Sequence, residues 1–303
     1  MLKSSLIEGK NVLLRADLDV SVREGRVEND YRLQALLPTL KLCLENARST
    51  LVIGHLGRPE AKSAEFGLNP VRECLENALH RSIHFISSGF SPGEWARGEF
   101  PLAMFDNLRF HPGELTNDRA FAKQLSAGSD IYIYEAFAAH NEAASLQRIP
   151  EIIPTYTGLQ FDREVDQLGK IVKSPDRPSL LIISGAKDDK RKYVDNLVDK
   201  FDEILIGGKF ASGLTPDGLD INDTTIALFS EKIMSAKSVV INGPLGKFED
   251  GIHTAGTKAI FEAAKLSLAW VIIGGGDTLA AIPALGFSYA DFDFISTGGG
   301  AML

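Results

Sequence analysis

Two glycine-rich turns near the end of the chain carry the strongest chemical signal. Gly274-Gly275-Gly276-Asp277-Thr278 follows the apolar run 268–273, and Ser296-Thr297-Gly298-Gly299-Gly300-Ala301 follows the run 292–295. Each reads as a buried strand ending in glycines, and the first opens a helix over 278–284. Backbone without Cβ lets an anion approach closely, and the free N–H groups of a helix start point at it. Side by side, the two turns would make one phosphate-binding face. Three more strand-like runs of the second half end in glycine. They lead into Ser184-Gly185-Ala186-Lys187-Asp188-Asp189-Lys190, Gly207-Gly208-Lys209, and Asn242-Gly243-Pro244-Leu245-Gly246-Lys247-Phe248-Glu249. One such end is a weak signal; five in one half predict a nucleotide or polyphosphate ligand. Neither G-x-x-x-x-G-K-[ST] nor G-x-G-x-x-G occurs, which excludes a Walker loop and counts against a dinucleotide dehydrogenase.

The first half carries polar residues at five strand ends or adjacent turns. These are Arg15-Ala16-Asp17-Leu18-Asp19, Arg32, His55-Leu56-Gly57-Arg58-Pro59, Asn107-Leu108-Arg109-Phe110-His111 and Ala139-His140-Asn141. Taken singly, an arginine is a solvated charge, and His111 or His140 is a satisfied core histidine. His80, His84 and His253 are read in that plain structural way. Taken together, Arg32, His55, Arg58 and Arg109 converge on one sheet edge if the topology is doubly wound. The planar fork of arginine matches phosphate or carboxylate bidentately. A small, doubly anionic substrate suits such a cluster.

The elements that must position these residues alternate along the chain. Residues 11–18, 50–54, 102–105, 131–134, 179–183, 203–206, 238–241, 270–273 and 292–295 read as strands, mostly continuous Val, Ile and Leu, hence buried on both faces. Residues 32–45, 70–79, 118–125, 189–199, 224–234 and 254–266 read as amphipathic helices. This βαβ series predicts an α/β protein of two doubly wound, Rossmann-like parallel-sheet domains, the C-terminal one reduced, with ligands at the C-terminal ends of strands. A helix at 161–173 has no obvious strand before it and runs into Ser174-Pro175-Asp176-Arg177-Pro178. The expected division is a substrate domain over 1–158, a hinge helix and linker over 159–176, and a nucleotide domain over 177–303. With 303 residues, 44% hydrophobic and 24% charged, the chain has room for two cores. Its net charge of −8 argues against nucleic acid as a partner. No apolar run reaches membrane-spanning length, no signal peptide is visible, and Cys43 and Cys74 lack metal spacing. A cytoplasmic protein with two free thiols is expected, with small molecules as partners.

In order and across nearly the whole chain, these motifs resemble phosphoglycerate kinase. The matching runs are Leu14–Val20 (L-R-A-D-L-D-V), Asn29-Asp30-Tyr31-Arg32-Leu33, Leu37-Pro38-Thr39, Gly54-His55-Leu56-Gly57-Arg58-Pro59, Asn107-Leu108-Arg109-Phe110-His111, Gly185-Ala186-Lys187, Asn242-Gly243-Pro244, Phe248-Glu249 and the two glycine triplets. The resemblance implies phosphoryl transfer between 1,3-bisphosphoglycerate and ADP, with Mg²⁺ and with ATP/ADP as co-substrate. It implies that Asp17, Asp19, Arg32, His55, Arg58, Arg109 and Asn141 line the glycerate site. Lys187, Lys190, Gly207, Gly208, Asn242, Glu249, Gly274, Gly275, Gly276, Asp277 and Thr278 would line the nucleotide site. Within that set Glu249 would meet the ribose, Asp277 would hold the Mg²⁺, and Arg32, Lys190, Gly275 and Gly299 would serve catalysis. A monomer is expected, its halves closing about the connecting helix.

The chain departs from the family pattern at functional positions. Asp19 stands for asparagine, Asn141 for a substrate arginine, and Lys209 for a third glycine. Lys187 and Lys190 are three residues apart where the family spacing is four. Losing one charge-assisted hydrogen bond of about 1.5–3 kcal/mol would weaken substrate binding by about 10- to 150-fold. The segments after Gly213 and between Pro59 and Leu102 are shortened, and the family's C-terminal tail is expected to be missing. Three readings follow from the residues: an active kinase of this type, a weak or inactive relative that binds nucleotide or phosphorylated acids, and a kinase for another small acid.

Overall fold

The computed structural model describes residues 2–87, 95, 100–184 and 191–302. The chain divides into two compact units, Met1–Arg163 and Glu164–Leu303. In the first, six strands form a parallel sheet. They are β1 (Asn11–Arg15), β4 (Ser49–Ile53), β5 (His84–Ile86), β6 (Leu102–Phe105), β7 (Ile131–Tyr134) and β8 (Thr155–Thr157). Their order is β5-β6-β4-β1-β7-β8. The chain builds outward from β1 first on one side and then on the other, so the topological switch falls at β1. The apolar strands need cover on both faces. Val12, Leu14 and Val52 pack with α2 (Tyr31–Asn46) and α3 (Asn69–Leu79) on one face. Leu13, Leu51, Ile53 and Tyr132 pack with Trp95 and with α5 (Arg119–Leu125) on the other.

In the second unit, five parallel strands run in the order β10-β9-β11-β12-β13. They are β9 (Ser179–Ile183), β10 (Glu203–Ile206), β11 (Ser238–Asn242), β12 (Trp270–Gly274) and β13 (Phe294–Ser296). The helices are α7 (Arg191–Leu197), α8 (Asp223–Ser235), α9 (Ala255–Leu266) and α10 (Gly276–Ala284). The registers pair Ile183 with Asn242, Asn242 with Gly274, and Gly274 with Ser296. Ile206 pairs with Ile183. All five C-terminal strand ends therefore lie level, and the chemistry-bearing turns leave the sheet together. The two units with parallel sheets are the doubly wound architecture that the alternating pattern predicts.

Several boundaries differ from the sequence reading. β1 stops at Arg15 rather than at 18, because the last hydrogen bond to β4 is made by Ala16 N to Ile53 O and the chain then turns off the sheet. β13 begins at Phe294 rather than 292. The connecting helix α6 (Leu159–Lys173) is in fact preceded by a strand, β8. That strand is a three-residue sheet edge with Tyr156 exposed, so no apolar run marks it. A hairpin of β2 (Val22–Arg23) and β3 (Arg26–Val27) also escapes the apolar pattern. Its turn, Glu24-Gly25, has φ of 50° and 74°, positive at both central residues as a tight hairpin demands. No helix among the described residues is long and apolar enough to cross a membrane.

Candidate active site

In the first unit the site is built on the ends of β1, β4 and β6. Arg32 lies in the first turn of α2 and is half-buried. Its Nη1 donates to the carbonyl of Asp19 at 2.7 Å and lies 3.4 Å from Asp17 Oδ1. Asp17 is buried, and its Oδ2 has no hydrogen-bond partner among the described residues. Burial pushes the Asp17 carboxyl above its ordinary range, with Arg32 acting against that shift. Asp19 Oδ1 accepts the Gly57 amide at 2.8 Å, which ties the turn after β1 to the turn after β4. Gly57 has φ of +60°, and a Cβ there would meet the Phe66 ring at 2.4 Å. Only glycine fits that turn. Arg109 donates to the Gly57 carbonyl. Asn107 holds this arginine in place: its Oδ1 accepts Arg109 N at 3.0 Å, and its Nδ2 donates to Leu56 O at 2.7 Å.

His55 is the electrostatic centre of the group. Its Nδ1 is 2.7 Å from Nη2 of Arg15, and guanidinium can only donate. Nδ1 is therefore the acceptor and Nε2 carries the proton, 3.8 Å from Asp19 Oδ2. Burial, then Arg15, Arg109, Arg32 and Arg58, hold the His55 pKa well below its ordinary value. All four arginines thus act electrostatically on one neutral histidine. Arg32, His55, Arg58 and Arg109 do come together at the strand ends, with Asp17 and Asp19 among them. Asn141 is exposed on the segment after β7 and makes no hydrogen bond to this group among the described residues.

Arg15 is the residue that sequence reasoning passed over as a site member. It is fully buried on the face of Leu13, and its Nε donates to Ser145 Oγ at 3.0 Å. Ser145 in turn donates from Oγ to Glu114 Oε1 at 2.6 Å and from its amide to Oε2 at 2.9 Å. The buried cation is satisfied through a chain of hydrogen bonds ending on a buried carboxylate, as burial demands. The signal was present: a lone arginine closing the apolar strand Val12-Leu13-Leu14. Its partners, 99 and 130 residues on, were not readable.

In the second unit Gly275 has φ of +104° and caps α10, leaving the first amides of that helix open at the strand end. Asp277 is exposed in its first turn. Thr278 is buried, and its Oγ1 accepts the Gly243 amide at 2.8 Å, joining the turn after β12 to the turn after β11. Asn242 is buried at the end of β11 and donates from Nδ2 to the Gly299 carbonyl at 3.1 Å, joining β11 to the second triplet. That triplet is also fixed from behind, since Glu164 of α6 accepts both the Thr297 amide at 2.6 Å and its hydroxyl at 2.8 Å. Glycine at 274 answers a different need: a Cβ there would lie 2.2 Å from Met302 Sδ. At Gly207 a Cβ would lie 2.2 Å from Leu245 Cδ1, and Gly208 has φ of +61°. Glu249 is exposed in the 3-10 turn Phe248–Asp250. Lys187 and Lys190 lie outside the described residues. Gly207, Gly208, Asn242, Gly274, Gly275, Gly276, Asp277, Thr278 and Gly299 all stand at the one level row of strand ends. His253, read as a satisfied core histidine, is instead half-buried, and its ring bridges two carboxylates, Asp250 and Asp217.

Comparison with known proteins agrees with this geometry. The family model described as Phosphoglycerate kinase matches residues 2–215 and 213–303. The phosphoglycerate kinase of Moorella thermoacetica is 32% identical over 374 aligned positions, which take in 100% of this chain and 94% of the relative. That of Herpetosiphon aurantiacus is 33% identical, over 97% and 93%. The alignments run well beyond 303 positions, so the relatives carry internal segments with no counterpart here. The structure of the enzyme from Pyrococcus horikoshii OT3 superposes with a TM-score of 0.85 at 26% identity, covering 98% of this chain and 93% of that one. The Coxiella burnetii enzyme gives 0.78, also at 26% identity, over 98% and 92%. An arginine-rich site on one sheet, level glycine turns on the other and matches over the full chain lead to one assignment: the chain belongs to the phosphoglycerate kinase family.

Proposed function

We propose that this chain transfers a phosphoryl group reversibly between 1,3-bisphosphoglycerate and ADP, giving 3-phosphoglycerate and ATP. The observation that carries the reading is Asp17 Oδ2, a buried oxygen without a partner among the described residues, set beside Arg32 and in the field of Arg15. An acceptor of that kind suits a substrate hydroxyl, and guanidiniums around it suit anionic groups on either side. A hydroxy acid carrying a phosphate has that pattern. Residues 1–158 take the acid in this reading, 177–303 take the nucleotide, and 159–176 form the hinge. In this reading the protein is a cytoplasmic monomer working on small molecules.

The chemistry asks little covalent work of the protein. Phosphoryl transfer is promoted by positioning and by fixed positive charge. Arg32, Arg58 and Arg109 hold the anionic ends of the acid, and Asp17 orients its hydroxyl. His55 stays neutral and donates from Nε2, so it adds a directed hydrogen bond without a charge that changes with pH. Asn141 reaches the acid only as a neutral donor. On the nucleotide side, amides of Gly275, Gly276 and Gly299 face the phosphates, with Gly207, Gly208, Asn242, Gly274 and Thr278 shaping the floor. Glu249 accepts from the ribose, and Lys187 and Lys190 meet the phosphates.

The donor set fits Mg²⁺ bound together with substrate. No group of three or more His, Cys, Asp or Glu poised for a metal exists among the described residues, while Asp277 offers one exposed carboxylate at the phosphate end. Magnesium characteristically takes one or two carboxylates plus substrate phosphates. Bound there, it would neutralise phosphate charge.

The test is a coupled assay with 3-phosphoglycerate, ATP and Mg²⁺, beside calorimetric binding of ADP and 3-phosphoglycerate. Turnover that Arg32→Met abolishes is the expected outcome. Tight ADP binding with no turnover on 3-phosphoglycerate would refute the proposal.

A further inference from the structure

The nucleotide unit contains a charged cluster that the reaction does not use. Residues 213–222 form a short loop closed by a bridge between Leu214 and Ile221 and by Thr215 N to Asp220 O at 2.9 Å. This loop stands where the sequence is shortened relative to its family. It is pinned to residues 247–256 at three points. Lys247 N donates to Leu219 O at 2.9 Å, Gly256 N donates to Asp220 Oδ2 at 3.0 Å, and His253 joins the two segments through its ring. Nδ1 of His253 lies 2.7 Å from Asp250 Oδ2, and Nε2 lies 2.8 Å from Asp217 Oδ2. Each carboxylate is itself anchored. Asp250 Oδ1 accepts the amides of Ile252 at 2.8 Å and His253 at 3.0 Å. Asp217 Oδ1 accepts Thr215 Oγ1 at 2.6 Å and Leu219 N at 3.1 Å.

A neutral imidazole has one N–H and one lone pair, so it can donate to only one carboxylate. Two short contacts to acceptor-only oxygens require the doubly protonated ring. Glu249 precedes Asp250 directly, on the buried anchor of Phe248. We propose that His253 is the positioning residue of the nucleotide subsite: it clamps the 213–222 loop onto the turn that presents Glu249, and it does so only as the imidazolium. This inference rests on the nucleotide reading of the second unit. The charged groups facing the ring are Asp250 on its own turn and Asp217 on the loop, with Asp220 behind them. Lys247 and Glu249 point outward from the same turn.

The ionisation of the cluster agrees. The hydrogen bonds that the ring donates to Asp250 and Asp217 push the His253 pKa up. Hydrogen bonds from Thr215, Leu219 and His253 bring Asp217 down to about 2, and Asp250 is held well below its ordinary range. The folded pKa of the histidine is raised, so the clamp is fully made below the unfolded value of about 6.5. It is lost as pH rises through the folded value above that.

Calorimetric binding of ADP from pH 6 to 9 tests this, with NMR titration of the histidine ring assigned by its loss in His253→Gln. For the unmodified chain, Kd for ADP should rise about two- to fivefold across the His253 titration, the size that exposed ion pairs support. His253→Gln should bind ADP weaker by the same factor at pH 6 and show no such rise. Asp217→Asn should lower the ring pKa and shift the rise to lower pH. Kd for 3-phosphoglycerate should stay unchanged in both. Superimposable pH profiles for the unmodified chain and His253→Gln, an unshifted ring pKa, or equal losses for both ligands would overturn the clamp alone. An unmodified chain that binds no ADP at any pH would overturn the nucleotide reading, and the clamp with it.

Discussion

Glu135 makes the first unit's stability depend on pH near neutrality. The residue follows β7 and is buried. Its carboxylate accepts the Thr39 hydroxyl and the amides of Gln160 at 3.1 Å and Phe161 at 3.0 Å, the first turn of the connecting helix. Thr39 Oγ1 accepts the Leu159 amide at 2.9 Å. Glu135 therefore caps α6 from the sheet of the first unit, and Gly158 must be glycine because a Cβ there would lie 2.0 Å from Oε2. The cap favours the charged carboxylate, and burial opposes it more strongly. The balance raises the Glu135 pKa from 4.5 to about 7. A raised acid pKa means that the folded state gains protons relative to the unfolded one. The stabilisation is complete below pH 4.5 and is lost as pH rises through 7. At about 1.4 kcal/mol per unit, the whole shift is worth about 3 kcal/mol, and the part between pH 5.5 and 8 is about 2 kcal/mol.

Urea unfolding followed by Trp95 fluorescence in a Trp270→Phe background reports this unit alone, since Trp95 sits in its core and the chain has two tryptophans. The unmodified protein should lose about 2 kcal/mol between pH 5.5 and 8 beyond what Glu135→Gln loses. The glutamine variant carries its own cost of about 1–3 kcal/mol, because its amide faces a backbone donor. That cost is independent of pH, so the slope is the readout and the absolute value is not. Equal slopes in the two proteins would refute the assignment.

Three other expectations follow from single contacts. Asp19→Asn keeps the oxygen that accepts the Gly57 amide and removes a negative charge beside the acid, so KM for 3-phosphoglycerate should fall about fivefold, an energy of about 1 kcal/mol; an unchanged KM would contradict it. Thr278→Val leaves the buried Gly243 amide without its acceptor and should lower the stability of the second unit by about 1–3 kcal/mol and raise KM for nucleotide, whereas Thr278→Ser should restore both. Gly275→Ala places a side chain at φ of +104° and 3.0 Å from Thr278 Oγ1, a strain of about 1–3 kcal/mol that should lower kcat for phosphoryl transfer while leaving KM for 3-phosphoglycerate unchanged.

The buried parallel strands were legible because a strand covered on both faces is a nearly unbroken apolar run. Leu102–Phe105, Ile131–Tyr134 and Ser179–Ile183 fall where that run falls. Edge strands gave no such mark, as with Thr155–Thr157, where burial is partial and the residues alternate. Level strand ends also followed from the pattern, since a parallel sheet sends every chain out at one edge. The arginine cluster was visible for that reason. Arg15 was not, because what makes it functional is its contact to His55 and its debt to Ser145 and Glu114, all of them long-range. His253 misled for the same reason: nothing local says that Asp217, on a loop 36 residues away, closes on its ring.

Glycine shows most clearly what spacing conveys and what it hides. The triplets at 274–276 and 298–300 look alike, and both end strands beside each other. Their requirements differ residue by residue. Gly275 is needed for a backbone angle that L side chains rarely adopt, which opens the helix amides toward an anion. Gly274 is needed for the space that Met302 fills, a packing matter with no ligand in it. Gly299 has open space at its Cβ position, and its carbonyl takes the Asn242 amide. Gly299→Ala should therefore be tolerated in folding, where Gly274→Ala should not. The sequence marks where backbone must come close to something, while the fold decides whether that something is a phosphate, a neighbouring side chain or the turn itself.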